Sequence, residues 1–312
     1  MSNNHIWNYS TLQDGVVERS IKIKAKKSGK ALRIAHLTDL HLNFCNQRDI
    51  AENDPVLMST LENREWLKDG SSLDNAKRTL AHARDADAIV ITGDILDYLS
   101  YGTEELATEH IFRPYPHLIA SLGNHESARK VQGKLPETMP YEEKEKWLAE
   151  FWPNELNYSS HIIDNRVMLI QIDDSSKQIG FNAEQVARLS ADIEYAREND
   201  CIALLFFHIH ISPYDESYSS ANADKIGDKA WAAVDLNRHG IRAAHGEQSA
   251  KMIDLIKSSA DVIKGCFCGH MHDDYYTEIH AAYPDGTPAV IPQYILRGCP
   301  YDKGHALKII IK

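Results

Sequence analysis

The chain has no long apolar run. The longest, "CIALLFF" at 201–207, is seven residues, whereas a helix needs about 20 to cross a bilayer. No membrane span is expected. No secretory leader is expected either: "MSNNHIWNYS" has neither a basic start nor an apolar stretch behind it. Cysteine is sparse and odd in number, five in all, which does not make a disulfide framework. Positive charge is in deficit. The 34 basic residues against 45 acidic ones give a formal net charge of −11. That disfavours long nucleic acid and anionic membranes as partners. A nucleotide stays open, because a bound cation reverses the sign locally. Tandem repeats, low-complexity tracts and linkers are absent as well. What these deficits leave is a soluble protein, expected in the cytoplasm, and its 312 residues suffice for a large core.

Short β-prone runs alternate with helical periodicity. "LRIAHL" (32–37), "DAIVITGD" (87–94), "HLIASLGNHE" (117–126), "RVMLIQIDD" (166–174), "CIALLFFHIH" (201–210) and "VIKGCFCGHMH" (262–272) read as strands with their trailing ends. Residues 71–86, 141–152, 182–199 and 249–260 read as helices, the third with Asn182 as its cap. Strand, helix, strand in succession is the α/β signature. We expect one domain over 1–312. Residues 1–31 form an N-terminal extension or edge strand, through "SIKIKAKK", and 214–247 form a lid insertion.

Metal-type side chains fall where the β runs end. Asp39 and His41 follow the first, Asp94 the second, Asn124 and His125 the third. His208 and His210 end the fifth; His270 and His272 end the last. Ligands gather outside the carboxyl ends of strands in an open parallel sheet. In extended chain, residues i and i+2 face one way, so "DLH" and "GHMH" each offer a pair. Asp39, His41, Asp94, Asn124, His208, His270 and His272 are too many for one four-coordinate ion. They suit two ions sharing a carboxylate, and Asp94 is the natural bridge. Mixed oxygen and nitrogen donors suit manganese, iron or zinc, with nickel or cobalt as substitutes in vitro. Two ions about 3.5–4 Å apart can hold a hydroxide and clamp both ends of an in-line displacement, as phosphoryl transfer requires.

The blocks "DLH", "GDILD", "GNHE", "FFHIH" and "GHMH", in this order over residues 36 to 272, resemble the calcineurin-like metallophosphoesterases. The resemblance implies a four-layer α/β/β/α sandwich with a dinuclear site at strand C-terminal ends. It implies that Asp39, His41, Asp94 and His270 or His272 divide between the ions, with Asn124 and His208 on the second. It makes His125 a catalytic group over the substrate rather than a ligand, and lets Asp97 orient a histidine from behind. "FFHIHISPYDE" with "FCGHMHDD" is most similar to a purple-acid-phosphatase-related intracellular branch. That branch has a proline soon after its fourth-block histidine, where His210 stands here; His208 is taken as the ligand because it comes first after the strand and matches the motif's histidine, with His210 as a substrate-side candidate. Tyr98 is not taken as a chromophoric ligand.

Plainer readings compete for other residues. His36 reads as structural. His245 is a candidate only if 214–247 overhangs the site. Cys266 and Cys268 flank Phe267 on one strand face and read as buried filling. Trp147, Leu148, Phe151 and Trp152 read as a helix face packed on a sheet. The expected activity is hydrolysis of a phosphomonoester or phosphodiester in a small molecule, nucleotide or phosphoprotein. The alternative is a non-catalytic binding or scaffold protein on the same fold. A metallo-β-lactamase-type hydrolase would need an HxHxDH block, and none is present.

Overall fold

The computed structural model describes residues 8–12, 14–64, 71–128, 139–213 and 235–312. The larger part of the expected lid, 214–234, lies outside the described residues. Among the described residues, twelve strands form two six-stranded sheets. The first has the order β1 (Asn8–Thr11), β2 (Val17–Ile23), β12 (His305–Ile311), β3 (Leu32–Leu37), β4 (Ala88–Thr92), β5 (Leu118–Ser121). The second has the order β10 (Tyr275–Ala282), β11 (Pro288–Ile295), β9 (Ile263–Cys268), β8 (Ile202–Phe206), β7 (Val167–Ile172), β6 (Tyr158–Ile163). The alternating stretch "SIKIKAKK" supplies the end of β2, which lies one strand in from the edge formed by β1. The C-terminal strand β12 runs parallel to β2 and antiparallel to β3, and so joins the chain's two ends inside one sheet.

Three apolar layers hold the sheets and helices together. Ile34, Val90, Ile119 and Ile309 of the first sheet meet Leu169, Leu204, Phe206 and Phe267 of the second. The first sheet's other face, with Leu37, Ile91 and Ala120, packs on α3 (Ser71–Ala83) and α5 (Tyr141–Phe151). The second sheet's other face, with Ile170, Leu205 and Cys266, packs on α6 (Ala183–Glu198) and α7 (Glu247–Lys257). The result is the expected α/β/β/α sandwich. Each strand feeds two layers because successive side chains alternate. Cys266 and Cys268 accordingly share the helix-facing layer, while Phe267 between them enters the layer between the sheets. Trp147, Leu148, Phe151 and Trp152 pack into the first sheet's outer layer.

Local signals explain the element boundaries. Asn182 caps α6 in a box with Gln185: each side chain accepts from the other's backbone N–H. His36 points into the layer between the sheets, its ring edge-on to Phe206 and Phe267 at 5.8 and 5.9 Å. Burial lowers it to about 3, so it is a neutral packing residue. Strands β3, β4 and β5 are mutually parallel, as are β7, β8 and β9. Their carboxyl ends therefore come out at one rim of the sandwich.

Phe267 is stacked between Phe206 (5.0 Å) and Tyr294 (5.4 Å) in the central layer. Phe267→Ala should cost about 3–5 kcal/mol, read as a lower urea midpoint at unchanged slope. A loss under about 1 kcal/mol would mean the layer closes over the gap.

Candidate metal centre

The site is built on turns just past the strand ends. β3 stops at Leu37 and β4 at Thr92. Asp39, His41, Asp94, His270 and His272 all adopt left-handed backbone, with φ of 51, 47, 51, 70 and 53°. Such conformations cost a non-glycine residue about 1–3 kcal/mol each and gather at functional sites. Of the two i, i+2 pairs, Asp39 and His41 do converge, but not by the alternation of extended chain. Left-handed turns aim Asp39 with His41, whereas His270 and His272, expected to face one ion together, part into different groups. Glycines permit the close approach. A Cβ on Gly123 would sit 2.2 Å from Asp94 Oδ1, and one on Gly269 would sit 1.8 Å from Thr38 Oγ1.

Among the described residues the ligand-type atoms fall into groups, each within 4.8 Å. One joins Asp39, His41, Asp94 and His272. A second joins Asp94, His208 and His270. The Asp94 carboxylate belongs to both. Its Oδ2 is 3.2 Å from His208 Nε2 and 3.8 Å from His41 Nε2. In the first group His272 Nε2 lies 3.0 Å from both His41 Nε2 and Asp39 Oδ1. Asn124 follows β5, and its buried Oδ1 has no hydrogen-bond partner; Asp39 Oδ1 and His208 Nε2 make no well-formed hydrogen bond either and face only other ligand-type atoms, His272 Nε2 and Asp94 Oδ2. Buried polar atoms left unpaired are costly, and these would be satisfied by cations. Four histidines, His41, His208, His270 and His272, which bind metals as neutral imidazoles, together with carboxylate and amide oxygens fit transition ions.

The surrounding groups set orientation. His41 Nδ1 lies 2.9 Å from Asp97 Oδ1, and Asp97 also accepts from Asn43 and Arg64. His208 Nδ1 donates to the Thr92 carbonyl at 2.8 Å. Burial works against charge on His41, yet Asp39, Asp97 and Asp94 raise it to about 10. Burial likewise opposes ionisation of Asp94, but His208, His125 and His41 hold it well below the usual carboxylate range. Asp97 is held low against burial by His125, His41 and Arg64. Imidazole and carboxylate groups thus hold each other in their charged forms.

His125 is placed differently from the ligand candidates. Its backbone N–H donates to Asp94 Oδ1 at 3.0 Å, and its Nδ1 lies 2.9 Å from the Asp97 carbonyl. That leaves Nε2, 3.9 Å from Asp94 Oδ2, on a side chain 13% exposed. It groups with His41 and Asp97 rather than with either Asp94-centred set alone. His210 is fully buried with Nε2 at the Leu236 carbonyl, 2.8 Å away. His245 caps a turn through Nδ1, which accepts from Arg242 N at 3.2 Å. Neither joins a ligand group.

The structure adds residues that sequence reading passed over. Glu126, the last of "GNHE", is fully buried. Its carboxylate accepts from the backbone N–H groups of Asp94, Leu96 and Gly123 at 3.0, 3.0 and 2.6 Å. It ties the second loop to the third, and an acidic residue directly after a strand-end histidine was the available signal. Burial, then Asp94, raise Glu126 to about 7. His239 brings its ring to 6.0 Å from that of His270. Tyr301 Oη is 2.8 Å from His272 Nδ1; no local pattern marks either one.

Two sheets in a four-layer sandwich, with a carboxylate-and-histidine cluster at one rim, define the architecture of a metal-dependent phosphoesterase. The sequence matches the model of the calcineurin-like phosphoesterases over residues 32–274, and the chain belongs to that family. No curated protein matches the chain. Among solved structures it is similar to a dimetal phosphatase from Danio rerio, at 11% identity and TM-score 0.48, covering 86% of this chain and 88% of that one. It is similar to a purple acid phosphatase from yellow lupin (Lupinus luteus), at 12% and 0.48, covering 96% of this chain and 48% of that one. A putative 5'-nucleotidase from Staphylococcus aureus gives 10% and 0.41, with 85% and 54% covered. Family membership rests on the sequence match. Among the described residues no helix is long and apolar enough to cross a membrane.

Glu126→Gln turns one carboxylate oxygen into an N–H₂ that faces a backbone donor. The expected loss is about 1–3 kcal/mol of stability, together with faster release of metal to a chelator. Denaturation and metal counting after dialysis check it; wild-type values in both would show that the three N–H bonds contribute nothing.

Proposed function

We propose that the protein hydrolyses an ester of phosphate in a small molecule or nucleotide, using two transition metal ions. Asp39, His41, Asp94 and His272 would hold one ion; Asp94, Asn124, His208 and His270 would hold the other. The observation that carries the reading is the Asp94 carboxylate, common to both ligand groups. Manganese, iron and zinc fit the mixed donors. When bound, such a pair supplies Lewis acidity and an activated water near neutral pH.

The chain's own groups do the remaining work. Asp97 fixes His41 through Nδ1 and so leaves Nε2 for the cation side. His125, with Nδ1 donating to the Asp97 carbonyl, keeps Nε2 toward the cleft. Protonated there, it would donate to a phosphoryl oxygen or to the departing oxygen. Its backbone bond to Asp94 Oδ1 fixes its distance from the shared carboxylate. A second ester bond is neither demanded nor blocked by these contacts, so monoesters and diesters are both tested.

Purified protein is assayed with p-nitrophenyl phosphate and bis-p-nitrophenyl phosphate after addition of manganese, zinc or nickel. At least one substrate should turn over, and Asp94→Ala should abolish turnover with loss of both ions. No hydrolysis by a fully metallated sample would end the proposal. His125→Ala should lower kcat by about 10²–10⁴-fold while metal content by mass spectrometry stays near wild type. Loss of ions from that variant would show His125 to be a ligand.

A further inference from the structure

The family match ends at residue 274, yet the site receives a contact from beyond it. The segment after β11 runs back along Asp39. Cys299 N donates to the carbonyls of Thr38 and Asp39 at 3.2 and 3.1 Å. Gly298 approaches so closely that a Cβ there would lie 3.1 Å from Asp39 Cβ. Two residues after Cys299, Tyr301 sets its hydroxyl 2.8 Å from His272 Nδ1. The Arg297 guanidinium carbon lies 5.2 Å from the Tyr301 ring centroid, and so braces it from another side.

His272 needs such a partner more than its neighbours do. Its side chain is 29% exposed, whereas those of Asp39 and His41 are fully buried and that of Asp94 is 2% exposed. His41 is held by Asp97 and His208 by the Thr92 carbonyl. The His272 ring lies between His41, at 4.9 Å, and Tyr301, at 5.5 Å. An imidazole that offers the Nε2 lone pair to a cation carries its proton on Nδ1, and an acceptor there selects that tautomer. A phenolic oxygen can accept this bond.

We propose that Tyr301 is a positioning residue: its hydroxyl accepts from His272 Nδ1–H and holds Nε2 toward Asp39 and His41, so that the first ion is retained. The inference rests on the metal reading above. Tyr301 touches neither ion nor substrate in this role. It acts through His272, and the backbone bonds of Cys299 keep it in register with Asp39.

The test is a Co²⁺ titration of the metal-stripped full chain, followed by visible absorption and by counting bound ions. Wild type should take up two ions. Tyr301→Phe keeps the ring and loses the hydroxyl. It should weaken uptake of one ion about 10- to 100-fold, alter that ion's absorption band, and leave the melting temperature of the metal-free protein unchanged. In a His272→Gln background the same change should add no further loss. Wild-type affinity for both ions in Tyr301→Phe would overturn the proposal. So would a weakening matched by an equal loss of stability in the metal-free protein, which would make the hydroxyl merely structural. A wild type that takes up no Co²⁺ would overturn the metal reading itself, a distinct result.

Discussion

Three carboxylates buried at one rim, Asp39, Asp94 and Asp97, are the constraint on which the rest of the structure depends. A buried charge is tolerated only when paired and hydrogen-bonded. Asp97 meets this with Arg64, Asn43 and His41. Asp39 and Asp94 have histidines instead, and several of the facing atoms are left without hydrogen bonds. Removing one partner from such a set leaves the others uncompensated, so the ligands act as a unit.

Holding that unit together requires backbone that polypeptide does not adopt freely. Five of the ligand candidates sit at positive φ, each a local cost. The offset comes from the three apolar layers behind the rim. Those layers fix the strand ends, and Glu126 clamps the turns between them by gathering three backbone N–H groups onto one buried carboxylate. Gly123 and Gly269 then let loops from different strands approach to distances at which any side chain would collide with Asp94 or Thr38. Strain, clamp and glycine contacts are parts of one device: they bring side chains from both sheets to a common point and keep them there.

Much of this was legible along the chain, for identifiable reasons. Strand ends could be read because apolar runs stop at Asp, Asn and His. The α6 cap could be read because Asn182 and Gln185 stand three apart. The packing of Cys266 and Cys268 follows from a period of two. Asp97 behind His41 was legible from the "GDILD" block. Other parts were not. The i, i+2 pairing at Asp39 and His41 was expected from extended geometry but arises from left-handed turns, because β3 ends at Leu37. Glu126 satisfies backbone donors of a loop 30 residues and more away, a demand that no side-chain pattern announces. His210, close in sequence to His208, is turned to the Leu236 carbonyl by a segment whose course has no periodic signal.

Sequence by itself determined the ligand types, their order, and their place at the ends of β runs, since hydrophobic patterning and side-chain chemistry are local properties. Tertiary structure alone decided which ligand-type side chains fall together. It set His272 with Asp39 and His41 across 231 residues, split it from His270, and gave Asp94 to both groups. It also threaded β12 between β2 and β3 and brought Tyr301 to His272. The reason is that convergence depends on how two sheets stack and where their edges lie. Those are set by the sum of apolar contacts over the whole chain, and no single segment contains them.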